Sequence, residues 1–213
     1  MCGRYAIFST ASELATYFNL TNSVDFGQNF NAAPSQNLPV IIKDRIGLAK
    51  WGYTPAWAEQ GYKGPKPINA RAETVCEKPM FRDSFSRRRC LIPANGFFEW
   101  LSTTQGGKIP YFISKNDQDI LAFAGIWSKY ENIVSFGIIV RSSLGPMAEI
   151  HDRMPVIIMP EDIKKWFTGD TAEAKALLDK NEACEKLDVY EVSKEVNSVQ
   201  NNYESLVEPV NQS

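Results

Sequence analysis

The sequence predicts an α+β fold, a single domain over residues 1–213, in which many short strands are interrupted by a few well-capped helices. Three observations lead there. Short apolar, β-branched and aromatic runs recur along most of the chain, and Gly and Pro separate them at Gly52, Pro55, Gly61, Gly64, Pro65, Pro67, Gly106 and Gly107. Helix starts stand at a few positions only. The regular strand–helix–strand alternation of a parallel α/β sheet is missing.

In chain order, residues 4–8 read as the first strand. Thr10 and Glu13 have the spacing of a capping box, opening a helix with Leu14, Tyr17 and Phe18 on its apolar side. Strand-like runs follow at 38–42, 46–51, 89–93, 96–101, 110–113, 121–127 and 134–140. Pro160-Glu161-Asp162 places proline and acids in a first helical turn, leading through Ile163, Trp166 and Phe167. Residues 171–180 read as another helix and 187–192 as a last strand.

Hydrophobic residues make up 44% of the chain and charged residues 23%, an ordinary globular balance. No apolar run approaches the ~18–20 residues of a membrane span, and the N-terminus lacks the apolar stretch of a signal peptide. A cytoplasmic location is therefore expected. The four cysteines, Cys2, Cys76, Cys90 and Cys184, show no C-x-x-C spacing, and His151 is the single histidine. Neither a zinc site nor a disulfide framework fits that pattern. No metal or cofactor is expected, and Cys76, Cys90 and Cys184 read as small buried apolar residues. The net charge of −2 argues against a dedicated nucleic-acid binder. Arg71, Arg82, Arg87, Arg88 and Arg89 nonetheless cluster, while acids dominate later, which leaves a basic face open.

Cys2 carries the sharpest chemical signal. Aminopeptidases remove a leading methionine when the second residue is small, and the product here is a 1,2-aminothiol. Its α-amine titrates near pH ~8, so part of it is unprotonated at neutrality. Such a pair attacks an aldehyde to give an imine that the thiol closes to a thiazolidine, or serves as an N-terminal nucleophile toward an amide. The alternative is that Cys follows Met1 by chance.

His151 sits in a polar run, Ile150-His151-Asp152-Arg153, ahead of what reads as an apolar strand from Val156 to Met159. It is either a proton-transfer group at a strand's mouth or a satisfied structural histidine. Glu99, in Gly96-Phe97-Phe98-Glu99-Trp100, is an acid–base group if buried and an ordinary outward residue if solvated. Asn69-Ala70-Arg71-Ala72-Glu73-Thr74 offers an amide donor and an anion clamp, or else a capped helix start with exposed charges. Trp51, Trp57 and Trp100 read as core or pocket walls, with base stacking beside the arginines as the alternative.

Taken in order, the segments are more specific than any one of them. Cys2-Gly3-Arg4-Tyr5, Asn31-Ala32-Ala33-Pro34, Trp51-Gly52, Asn69-Ala70-Arg71-Ala72-Glu73-Thr74 and Arg89-Cys90-Leu91-Ile92-Pro93-Ala94 lead the series. Gly96-Phe97-Phe98-Glu99-Trp100, Phe123-Ala124-Gly125-Ile126-Trp127, His151-Asp152-Arg153-Met154-Pro155 and Val192-Ser193 with Val196-Asn197-Ser198 complete it. The series resembles the SOS response-associated peptidase family over essentially the whole chain. The chain departs from that family's pattern at Arg141–Gly145 and at Asn201-Asn202.

The resemblance implies a mixed, mostly antiparallel sheet curled into a barrel-like core with flanking helices. It implies an enzyme that binds abasic sites in single-stranded DNA and traps them as a thiazolidine DNA–protein crosslink, and that removes its own leading methionine. Cys2 is then the nucleophile, with Asn69, Glu99 and His151 as its catalytic partners. Arg4, Arg71 and Arg153 are expected to contact DNA phosphates, and Trp51 to contact DNA. The expected partner is abasic single-stranded DNA, with no membrane and a monomeric chain. Two other readings compete: a thiol peptidase acting on other chains through Cys2, His151 and Glu99, and a non-enzymatic single-strand binder.

Overall fold

In the computed structural model the described residues are 2–59, 61–115, 120–180, 184 and 187–210. They form β1 (Tyr5–Ile7), α1 (Ala11–Phe18), β2 (Asn29–Ala32), β3 (Asn37–Ile42), β4 (Arg45–Trp51), β5 (Asn69–Arg71) and α2 (Arg82–Arg87). There follow β6 (Arg89–Ala94), β7 (Gly96–Ser102), β8 (Lys108–Lys115), β9 (Leu121–Tyr130), β10 (Ile133–Ser142), β11 (Arg153–Pro155), α3 (Ile163–Thr168), α4 (Thr171–Leu178) and β12 (Leu187–Glu191).

The strands make two sheets. One is ordered β12-β8-β7-β1-β2; in the other β11-β10-β4-β3-β6-β9 is the main path. Because β9 also pairs with β10, the run β10-β4-β3-β6-β9 closes on itself as a barrel. Pairing is antiparallel except where β10 meets β4 and β5 in parallel. Closure brings backbones close together. A Cβ on Gly125 of β9 would lie 3.1 Å from the Gly137 carbonyl oxygen and would force the Ile92 side chain to move.

The five-stranded sheet packs one face on the barrel and the other under the C-terminal segment. Tyr5, Ile7 and Phe97 join the large barrel-side cluster. Ala6 and Phe98 join a smaller cluster with Val192, Val196, Leu206 and Val207. Neighbouring residues of one strand thus serve two cores, as the two-residue strand period requires. The same alternation turns Glu99 to the side of Phe97, toward the barrel.

The helices follow local rules. Thr10 Oγ1 accepts from the Glu13 amide at 3.2 Å while Glu13 Oε2 accepts from the Thr10 amide at 2.6 Å, so the capping box forms. Asn19 ends α1 in the left-handed conformation (φ 51°). Asp170 and Glu173 repeat the device at α4. The Pro160 start begins as a 3₁₀ turn before α3.

Three short strands and one helix, β2, β5, β11 and α2, do not stand out in the sequence. For residues 69–71 the helix alternative fails. They form β5, whose register with Ile138–Val140 of β10 is supplied by the barrel. Cys90 and Cys184 are buried, whereas Cys76 is only partly so.

Candidate active site

The site forms where the barrel meets the five-stranded sheet. Cys2 precedes β1 and is 0% exposed. Burial, followed by the negative field of Glu99, pushes its thiol well above the usual range. β5 presents Asn69 and Arg71 on one side, with Ala70 between them turned into the core. Asn69 Nδ2 donates to the Cys2 carbonyl at 2.9 Å. The Asn69 Oδ1 atom is buried and has no hydrogen-bond partner among the described residues.

Glu99 is 3% exposed on β7. Burial pushes its carboxyl up to about 7, so it changes protonation near neutrality. His151 follows the 3₁₀ turn Gly145–Glu149 and precedes β11; its amide donates to the Met147 carbonyl at 3.0 Å. The turn starts at Gly145 with φ +57°, where a Cβ would lie 3.1 Å from the Cys184 carbonyl oxygen.

His151 Nε2 lies 4.0 Å from Glu99 Oε2. At Nδ1 two neighbours compete: the Arg153 amide donates to it at 3.0 Å, and Asp152 Oδ1 lies 2.8 Å away. The amide requires a lone pair on Nδ1, and the carboxylate favours a proton there. Burial, the largest influence, holds the imidazole below its usual pKa. The Asp152 side chain is mostly solvated, which screens its pull. The neutral ring with its proton on Nε2, facing Glu99, is therefore the resting form.

A cleft of about 630 Å³ opens beside these groups, lined by Asn69, Arg71, Lys78, Asp152 and Arg153 with Pro65 and Pro67. Arg71 is exposed, and Arg153 pairs with Glu73.

A family model described as SOS response associated peptidase (SRAP) matches residues 1–199. The chain belongs to that family. It is 37% identical to the abasic site processing protein YoqW of Bacillus subtilis, covering 98% of this chain and 99% of that one. It is 25% identical to the abasic site processing protein YedK of Escherichia coli, covering 99% and 100%. An X-ray structure of a protein from Bacteroides thetaiotaomicron superposes with a TM-score of 0.87 at 25% identity, covering 98% of this chain and 100% of that one.

Within this SRAP chain Asn69 touches Cys2, and Glu99 faces His151. The solvated alternative for Glu99 gives way to a buried carboxyl, and the helix-start alternative for residues 69–74 to the strand β5, although Arg71 and Glu73 are exposed as that alternative expected. One expectation changes. Trp51 is 1% exposed, its ring 5.3 Å from Tyr5 and 6.2 Å from Phe136, with Nε1 donating to the Ile68 carbonyl. It presents no face to a base, so the core reading holds and the DNA-contact assignment does not. Trp57, 61% exposed, is the tryptophan on the surface.

Arg4 is anchored inside the fold. Its Nη1 donates to Asn31 Oδ1 at 2.7 Å and to the Val196 carbonyl at 2.9 Å, and its guanidinium lies 5.8 Å from the Trp100 ring centre. Its hydrogen bonds go to neutral acceptors of the fold and the C-terminal segment, which fix its position and leave its charge in place. Asn202, at one departure from the family pattern, accepts from the Phe30 amide and is likewise part of that segment's attachment.

Lys78 and Asp152 line the cleft without having been singled out. Asp152 was legible only as the neighbour of His151. Lys78 had no signal, because its place depends on the turns after β5.

Among the described residues no group of His, Cys, Asp and Glu could hold a metal ion. No helix among them is long and apolar enough to cross a membrane.

Proposed function

We propose that this chain, once Met1 is removed, captures abasic sites in single-stranded DNA as a covalent thiazolidine through Cys2. The observation that carries the reading is the meeting of Cys2, Asn69 and the Glu99–His151 pair beside a cleft bearing Arg71 and Arg153. The names of its relatives as abasic site processing proteins support the substrate class.

Each residue then has a task. The abasic sugar is mostly a closed hemiacetal, and His151 moves the proton that opens it. The Cys2 amine attacks the aldehyde carbon, and the carbinolamine takes a proton and leaves water behind as it becomes an imine. The sulfur adds to the imine carbon and its proton passes to the nitrogen, closing the ring with one water released overall. Glu99, poised near neutrality, handles the protons of the imine and closure steps. Asn69 holds the Cys2 backbone in place. Arg71 and Arg153 hold flanking phosphates without reading sequence.

Removal of Met1, by an aminopeptidase or by the chain's own peptidase activity, is the precondition. Until then the Cys2 nitrogen is an amide and cannot form an imine.

A thiol peptidase acting on other chains fits less well. The Cys2 thiol is pushed up, not down, and the imidazole nitrogens face Glu99 on one side and Asp152 with the Arg153 amide on the other. A thiolate–imidazolium pair needs the reverse.

The test incubates processed protein with single-stranded DNA containing one abasic site and resolves the product on a denaturing gel. A slow band is expected, lost in Cys2→Ser. No band removes the crosslinking reading, and a band at full yield in Cys2→Ser removes the thiazolidine. Cys2-dependent hydrolysis of peptides without a crosslink would favour the peptidase.

A further inference from the structure

The arginine cluster of the sequence divides in the fold. Arg71 goes to the cleft it shares with Asn69 and Arg153, and Arg88 pairs with Asp83. Arg87 and Arg89 go to a separate cleft of about 390 Å³, where they join Lys43 and Arg45 from the β3–β4 hairpin. This second cleft shares no lining residue with the first.

Its charge balance is lopsided. Four cations line it against one carboxylate, Asp44, in a chain whose net charge is −2. Asp44 is also occupied, accepting from Thr21 through its backbone carbonyl and its Oδ2. Among the described residues Lys43 and Arg45 have no carboxylate partner, while Arg87 pairs with Asp83.

Arg89 sets the wall. It is buried, and its guanidinium is held by the carbonyls of Phe85, Ser86, Trp166 and Gly169, so its charge is fixed in place without an ion pair. A buried cation is screened less than a solvated one, and its field reaches the cleft. Trp127 adds a donor: its indole N–H is buried in the lining and has no acceptor among the described residues. Phe167 supplies an apolar wall, and Ser86 lies at the edge with its hydroxyl near that of Thr171.

We propose that this cleft is a second anion site, taking a phosphate group between Lys43, Arg45 and Arg87 over the fixed charge of Arg89. Several cationic donors around one cleft suit the oxygens of a phosphate. The volume admits a phosphate together with the sugar or base that carries it. The group comes either from a DNA strand that continues beyond the first cleft or from a free phosphate compound. The site stands whether or not Cys2 forms a crosslink.

The experiment uses the full chain and two probes. Inorganic phosphate is titrated at constant ionic strength while the indole N–H resonance of Trp127, assigned by its loss in Trp127→Phe, is followed by NMR. A saturable displacement is expected, at least about tenfold weaker in Lys43→Glu/Arg45→Glu. Both substitutions lie on an exposed hairpin, and an unchanged urea midpoint checks that the fold is intact. No saturable displacement, or an equal one in the double variant, overturns the proposal.

The second probe is an undamaged single-stranded oligonucleotide. If the phosphate belongs to DNA, the double variant lowers the salt slope of binding by about one to two on a long strand and leaves a short one unaffected. An unchanged slope, with phosphate binding saturable in the unsubstituted chain and weakened in the double variant, assigns the site to a free phosphate compound. Crosslinking of a short abasic oligonucleotide, measured on the same variant, is expected to be unchanged, which separates this site from the chemistry at Cys2.

Discussion

The two faces of the five-stranded sheet treat buried polar groups differently, although Arg4 Nε on the outer face is also buried without a partner among the described residues. On the outer face the C-terminal segment is sewn down by matched partners. Asn31 Nδ2 donates to the carbonyls of Val196, Ser198 and Asn201 at 3.2, 2.9 and 2.9 Å. Arg4 adds a bond to Val196, and Trp100 Nε1 donates to Asn197 Oδ1 at 2.7 Å. On the barrel face the thiol of Cys2 and the carboxyl of Glu99 are driven toward their neutral forms. There too, the Tyr5 hydroxyl and Asn69 Oδ1 are buried without partners among the described residues. Buried polar groups are normally satisfied, and exceptions collect where chemistry is done. The outer face stabilises the fold, and the barrel face gives up stability to keep reactive groups out of water.

Glu99→Gln tests that contrast most strongly. It removes the titrating proton while keeping the shape, so crosslinking should slow by about 10²-fold or more in single-turnover assays. Stability should move the other way at alkaline pH. The folded-state value of about 7 lies above that of an unfolded carboxyl. The stability tied to the protonated form is thus full below the unfolded pKa and is lost as pH rises through about 7, with an upper bound of roughly 3 kcal/mol. Urea midpoints at pH 5 and pH 8.5 should therefore converge in the variant. If the variant is instead less stable at pH 8.5, the barrel face is not the site of the cost.

Asn31→Ala attacks the other face. It leaves three carbonyls and Arg4 short of a partner, and a loss of about 2–4 kcal/mol is expected in urea unfolding. DNA affinity should change little. A loss below about 0.5 kcal/mol would mean that the segment is held by its apolar contacts alone.

Arg71→Ala should weaken DNA binding and lower the salt slope by about one, because its guanidinium stands on the exposed rim of the cleft. Arg4→Gln, which removes the charge, should leave that slope unchanged, since Arg4 already serves Asn31 and Val196. Equal slopes in the two variants would return Arg4 to the phosphate contacts.

The smallest effect belongs to Tyr5→Phe. It deletes a buried hydroxyl without a partner among the described residues. Calorimetry should show a neutral to stabilising change of at most about 1 kcal/mol. A loss above that would mean that the hydroxyl has a partner after all.

Much of this was legible in the chain itself. The capping box at Thr10 and Glu13, the helix start at Pro160 and the strands with Gly or Pro at their ends depend on neighbours within a few residues, and local chemistry specifies them. Cys2, Asn69, Glu99 and His151 were visible as residue types in suggestive runs. β5 and β11 were not, because three-residue strands exist only through pairing with β10. The burial of Trp51 was not legible for the same reason: an aromatic ring reads alike in sequence whether it meets DNA or the protein's own core.

The sequence by itself determined the α+β class, most elements and the candidate site residues, since these follow from side-chain chemistry and periods of a few residues. Only the tertiary structure decided that Glu99 is buried and faces His151, that Asn69 holds Cys2, and that the basic cluster splits between two clefts. Those are facts of burial and distance between residues tens of positions apart. They arise when the barrel closes and the sheet packs against it, and no local pattern encodes them.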